Sequence, residues 1–92
     1  MFEFKFHAFE VDQRYLLSDA VMTRLKHSPG FVGVHPGKTS ATVIFETPAH
    51  TDEFLNWKKF AHVPIIRRGE VFVPIKDIPK SRRRKYKRYI HL

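Results

Sequence analysis

Phe31-Val32-Gly33-Val34-His35-Pro36-Gly37-Lys38-Thr39-Ser40-Ala41-Thr42-Val43-Ile44-Phe45 sets two short apolar runs around a Pro-Gly pair. The pair predicts a type II turn over residues 35–38, with Pro36 second and Gly37 third, where φ must be positive. The two runs are then strands of a hairpin. Ala41, Val43 and Phe45 point one way, because side chains alternate along a strand. A helix is expected on each flank. Before the hairpin, Ser18 caps a helix that runs to His27. Asp19 sits in its first turn, and Val21, Met22 and Leu25 share one side. Asp12 is an earlier candidate cap that would add Leu17 to the same stripe. Pro29-Gly30 ends the helix. After the hairpin, Thr47-Pro48 supplies a cap and a first-turn proline. Phe54, Trp57 and Ala61 share a face of this second helix, Leu55 lies at its edge, and Pro64 bars extension.

Further out, Phe2, Phe4, Phe6 and Ala8 alternate with Glu3, Lys5 and His7, which predicts a strand. Its phenylalanine row is expected in the core and Glu3, Lys5 and His7 on an open sheet face. Glu70-Val71-Phe72-Val73 reads as the last strand. Ile65-Ile66-Arg67 either pairs with it around Arg68-Gly69 or stays outside the sheet. The order strand, helix, strand, strand, helix, strand gives an α+β fold of the ferredoxin-like split βαβ kind (βαββαβ). It places an antiparallel sheet under two helices on one face. A looser α+β layout, with residues 65–73 as their own edge hairpin, is the alternative. Ninety-two residues make one domain, read as residues 1–79 with a basic C-terminal arm or helix over 80–92.

That arm concentrates the charge. Lys80-Ser-Arg-Arg-Arg-Lys-Tyr-Lys-Arg-Tyr-Ile-His-Leu92 holds seven of the 17 lysines and arginines and none of the nine acids. Residues 1–79 keep ten cations against nine acids, so nearly all of the net +8 sits in the arm. Charge of this density needs an acidic partner or counter-ions, and a polyanion is the natural partner. Arginine adds a fork of donors suited to phosphate, and tyrosine rings can stack on unpaired bases.

Other chemistry is poorly supplied. There is no cysteine, hence no disulfide and no thiolate metal ligand. The six histidines match no zinc spacing and read as scattered surface groups. No glycine-rich phosphate loop and no nucleophile elbow occurs. His7 with Asp12 is the one acid–base pair a small nuclease could use. The N-terminal residues have no continuous apolar run, so they read as neither a signal peptide nor a span, and a cytoplasmic location is expected.

Lys38 to Phe45 can be set beside the third strand of the RNA-recognition motif, which has the same element order. Lys38, Ala41, Val43 and Phe45 keep their places. Thr39 stands for the glycine, and Ser40 and Thr42 stand for the two base-stacking aromatics. No family is assigned on this pattern, and the open sheet is expected to be polar rather than a stacking platform.

The expectation is a small, basic, non-enzymatic nucleic-acid-binding protein. It would contact RNA or DNA through Lys80, Arg82, Arg83, Arg84, Lys85, Tyr86, Lys87, Arg88 and Tyr89, with Arg67 and Arg68 extending the phosphate track. No cofactor or metal is expected. The alternative is a protein-interaction module, a regulator of a nucleic-acid enzyme or a subunit of a particle, whose arm docks on an acidic protein.

Overall fold

In the computed structural model, which describes residues 3–91, strand β1 (Glu3–Asp12) runs through the middle of an open antiparallel sheet. The other strands are β2 (Phe31–Pro36), β3 (Ser40–Phe45), β4 (Arg67–Pro74) and β5 (Ile90–His91). Their order is β2-β3-β1-β4, and β5 also pairs with β1. β4 takes one side of β1 along its length, from Glu3 opposite Pro74 to Glu10 opposite Arg67. β3 takes the other side from His7 onward, with His7 opposite Phe45. Below His7 that side is free, and β5 fills it, with Phe4 opposite Ile90 and Glu3 opposite His91. With α1 (Asp19–Lys26), α2 (Pro48–Leu55) and α3 (Lys80–Arg83), the fold is mixed α+β.

Both faces of β1 are covered along its middle, so Phe6, His7, Ala8 and Phe9 are all buried. Phe9 and Val11 face α1 and α2, in a core with Leu25, Val43, Phe45, Phe54 and Phe60. Phe4, Phe6 and Ala8 face the opposite way, and pack with Ile44, Val73, Ile78 and Tyr86. The expected phenylalanine row is therefore buried, but on the face away from α1 and α2. His7 does not lie on an open face. It is 8% exposed, and its Nδ1 is 2.9 Å from Thr51 Oγ1 of α2. Phe2 lies outside the described residues.

The caps are local and explicit. Ser18 Oγ accepts from the Val21 amide, and Thr47 Oγ1 accepts from the His50 amide with Pro48 at the first helical turn. Asp12 caps a separate 3-10 turn, Gln13–Leu16, which puts Leu16 in the core and leaves Leu17 exposed, not on the α1 stripe. α2 stops at Leu55. Residues 56–63 turn, so that Phe60 and Val63 enter the core and Ala61 stays exposed. The spacing that placed Ala61 inside assumes a helix one turn longer.

Two further expectations change. Gly37 is not at positive φ. Its amide donates to the Ser40 carbonyl at 2.7 Å and closes the β2–β3 connection without a type II turn. The left-handed glycine is Gly30, at φ 78°, where a Cβ would fall 2.3 Å from the His50 ring. Residues 65–73 form no hairpin, because the run from Arg67 to Pro74 is spent on pairing with β1. No helix among the described residues is long and apolar enough to cross a membrane.

Candidate nucleic-acid interface

The basic segment is docked rather than free. After β4 the chain makes a 3-10 turn (Ile75–Asp77), buries Ile78, and enters α3. Arg84–Tyr89 then continues as a 3-10 helix and leads into β5. Three residues per turn align positions three apart. Arg83, Tyr86 and Tyr89 thus form one row, and that row faces the sheet.

Each of the three is fixed by a contact. Tyr86 is 1% exposed, with its ring edge-on to Phe6 at 5.2 Å and to Phe4 at 6.1 Å. Burial of such a ring contributes about 3 kcal/mol, and the edge-on pairs add to it. The Tyr89 ring lies 5.7 Å from Phe6, and its hydroxyl donates to Glu46 Oε1 at 2.9 Å. Arg83 Nε donates to the Ile78 carbonyl at 2.9 Å. Burial pushes both phenols above the usual tyrosine range. For Tyr89 the bond to Glu46 acts in the same direction, so both are neutral donors at pH 7.

The remaining rows turn outward. Arg84 with Lys87, and Lys85 with Arg88, are exposed, as are Lys80 and Arg82 on α3. Partners in each row are about 6 Å apart along the axis. Among the described residues, no cation of this segment makes an ion pair. Elsewhere, four of the ten lysines and arginines of residues 1–79 are paired: Lys5 with Glu70 at 2.8 Å, Arg14 with Asp12 at 3.8 Å, Arg67 with Glu10 at 2.9 Å and Arg68 with Asp52 at 2.7 Å. The docked segment carries no acid of its own, whereas residues 1–79 hold all nine.

Two groups of expected contacts are not brought to this surface. Arg67 and Arg68 lie opposite Glu10 and Phe9, about 20 Å along β1 from Phe4, and each is held by a carboxylate. The structure does not bring them into the segment's outward rows. Tyr86 is inside, and Tyr89 is packed between Phe6 and the Arg88 guanidinium, which sits 5.3 Å from its ring. The tyrosines anchor the cations and do not present rings to bases. The three-residue spacing Arg83, Tyr86, Tyr89 was the available signal for this.

His7 and Asp12 do not form a pair. Five residues apart on one strand, they point to opposite faces about 17 Å from each other. Burial, followed by the charge of Arg68, lowers the His7 pKa below the usual histidine value. No group of three metal-ligating side chains occurs among the described residues. On the outer sheet face not covered by the basic segment lie a cavity of about 490 Å³ and a second of about 280 Å³ lined by Ile44, Val71, Phe72 and Val73. The larger is lined by Ala8, Glu10, Thr42, Arg67, Gly69 and Val71 and holds no exposed aromatic ring. One exposed ring was not anticipated: Phe72, 44% exposed, whose centroid is 5.1 Å from that of His91.

No protein-family model matches this chain, and neither a curated protein nor a solved structure does.

Proposed function

We propose that the protein is a non-enzymatic nucleic-acid-binding module whose docked C-terminal segment presents a fixed, unneutralised cationic surface to phosphates. The observation that carries this reading is the density of exposed, unpaired cations on one docked segment. Lys80, Arg82, Arg84, Lys85, Lys87 and Arg88 fall within nine residues, are exposed and make no ion pair among the described residues, and residues 80–92 contain no Asp or Glu. Holding these side chains on a packed element removes part of the ordering cost that a free arm would carry on binding. Phosphate contacts position a ligand without reading its sequence, so low sequence discrimination belongs to the proposal.

The framework fits a ferredoxin-like split βαβ. The antiparallel order β2-β3-β1-β4 supports that reading, as do helices joining β1 to β2 and β3 to β4. β5 and the segment covering the outer face are departures from its plain form. The absence of cysteine fits a cytoplasmic setting.

The test is a titration of labelled RNA and DNA over a range of salt. Each phosphate contact contributes about −0.9 to the slope of log affinity against log salt on duplex DNA. Arg84→Ala with Lys87→Ala removes one outward row and leaves the Arg83 anchor alone. The slope should become shallower by about 2. A flat salt response in the unaltered protein overturns the reading.

The second reading places an acidic protein against the same cations. The observation that favours it is the outer edge of β4, eight residues that pair with β1 on one side alone. A protein that stays bound through nuclease treatment, together with no shift of either nucleic acid, selects it.

A further inference from the structure

The sheet ends in two unequal edges. β2 closes one side with a register shift between Phe31 and Gly33, and such an irregularity twists an edge away from further pairing. β4 closes the other side with eight residues paired to β1 in unbroken register, and its one proline, Pro74, comes last. No strand among the described residues pairs with its free side. An unmatched row of N–H and C=O groups of this kind takes a strand of another chain.

The charges of β4 select that strand. Arg68, Glu70 and Phe72 share one face, because side chains alternate along a strand. A uniformly acidic strand answers Arg68 and repels Glu70. An antiparallel copy of β4 centred on Gly69 answers both, since it sets each Arg68 opposite the other copy's Glu70. Opposite charges in directly opposed positions stabilise a strand pair. Both residues already have a partner in their own chain, Arg68 at Asp52 and Glu70 at Lys5. The seam therefore joins these pairs into two rows that alternate in sign, Lys5–Glu70–Arg68–Asp52. Nothing lies within 4 Å of a Cβ built on Gly69, so no side chain of the fold stands over the centre of the seam. At each end Phe72, 44% exposed, comes level with Ile66 of the other copy, 54% exposed.

We propose that two copies of this chain pair antiparallel along β4, with Gly69 on the two-fold axis, and continue the sheet from one copy into the next. The axis is normal to the sheet, so each face of one copy continues into the same face of the other. Both docked segments then lie on one side of the joined sheet. Each packs over Phe4 and Phe6, while Gly69 stands opposite Ala8. The two segments are thus displaced from the axis by about 7–13 Å along the strand, in opposite directions. Charges separated by more than about 8 Å are largely screened at physiological salt, so the net +8 on each copy does not bar the contact. On the nucleic-acid reading the joined face offers one polyanion two cation surfaces, but the pairing itself does not rest on that reading. The ladder spans only residues 67–71 of each copy, so the dimer is weak and concentration-dependent. Binding titrations run below the dimerisation range report single copies.

Sedimentation velocity of the whole chain over a range of concentration, without nucleic acid, tests the pairing. The unaltered chain should pass from monomer to dimer. Glu70→Arg and Arg68→Glu each set like charges opposite one another twice, and should weaken the dimer about tenfold. Mixed together, the two variants should form a heterodimer, because each supplies the sign that the other lacks. That recovery separates the seam from any change in folding. An unaltered chain that stays monomeric, a dimer that neither variant weakens, or a mixture of the variants that stays monomeric overturns the pairing and leaves the phosphate reading standing. A dimer that shifts neither RNA nor DNA overturns the phosphate reading and keeps the pairing.

Discussion

Tyr89 donates its hydroxyl proton to Glu46 Oε1 at 2.9 Å across 43 residues of sequence. Glu46 directly follows β3, and Tyr89 directly precedes β5. The bond therefore ties together the two strands that share one side of β1. Glu46 accepts from this phenol and makes no ion pair with a cation of the segment among the described residues.

Tyr89→Phe keeps the ring against Phe6 and removes that bond. A part-buried hydrogen bond is worth about 1 kcal/mol. In a domain of this size, that is a fall of about 5 °C in Tm. Amide exchange should accelerate at Ile90 and His91, whose pairing the bond protects. Unchanged Tm and exchange would show that Glu46 does not fasten the segment.

Tyr86 is expected to matter more for its ring than for its hydroxyl. Tyr86→Ala empties a site between Phe4 and Phe6, and should cost about 4 kcal/mol in urea unfolding. Tyr86→Phe should cost less than about 1 kcal/mol. A chain ending at Pro79 uncovers Phe4, Phe6 and Val73 on the outer face, and should aggregate or unfold. Loss of binding on that truncation would then report the fold, not the cations. If the shortened chain instead keeps full stability, the segment is not part of the core.

The arginines of β4 give the opposite expectation. Arg67→Ala with Arg68→Ala removes as much formal charge as one outward row of the segment. Both are held by carboxylates, about 10–13 Å along β1 from Phe6, where the segment packs. Nucleic-acid affinity and salt slope should stay within error of the unaltered protein. A slope shallower by about 2 would place them in the phosphate track after all.

The strands and caps were legible because their signals are local. Ser18, Thr47-Pro48 and the alternation of Ala41, Val43 and Phe45 each specify their element without knowledge of the partner. Which face of β1 meets the helices was not legible. Phe4, Phe6 and Ala8 on one side, and Phe9 and Val11 on the other, are equally apolar rows. The choice depends on what covers the second face. That cover is the basic segment, whose composition reads as a solvated arm. Two tyrosines three residues apart become an anchor when the winding is 3-10, and nothing in a run of lysine and arginine announces that winding. The cations of the segment stay exposed, while Tyr86 is buried and Tyr89 half-buried against Phe6.

His7 makes stability depend on pH in a definite direction. Its Nδ1 is 2.9 Å from Thr51 Oγ1, and Thr51 in turn donates to the Thr47 carbonyl. Burial disfavours the imidazolium first, and the charge of Arg68 adds to this; Asp52 and Glu70 oppose it in part. The folded pKa is therefore below that of the unfolded chain. The unfolded state binds the proton more readily, so stability is full above the ordinary histidine pKa of about 6.5 and falls as pH drops toward the folded value. His7→Gln keeps a polar group near Thr51 and cannot titrate. Urea unfolding at about pH 7.5 and about pH 5.5 should show a larger loss for the unaltered protein than for His7→Gln. The two proteins differ at position 7 alone, so contributions common to both cancel in the difference. Arg68→Ala should make the loss smaller as well, since it removes the second cause of the shift. Equal losses in all three proteins would mean that His7 takes up its proton in the fold as easily as in water, and that its bond to Thr51 does not hold the neutral ring in place.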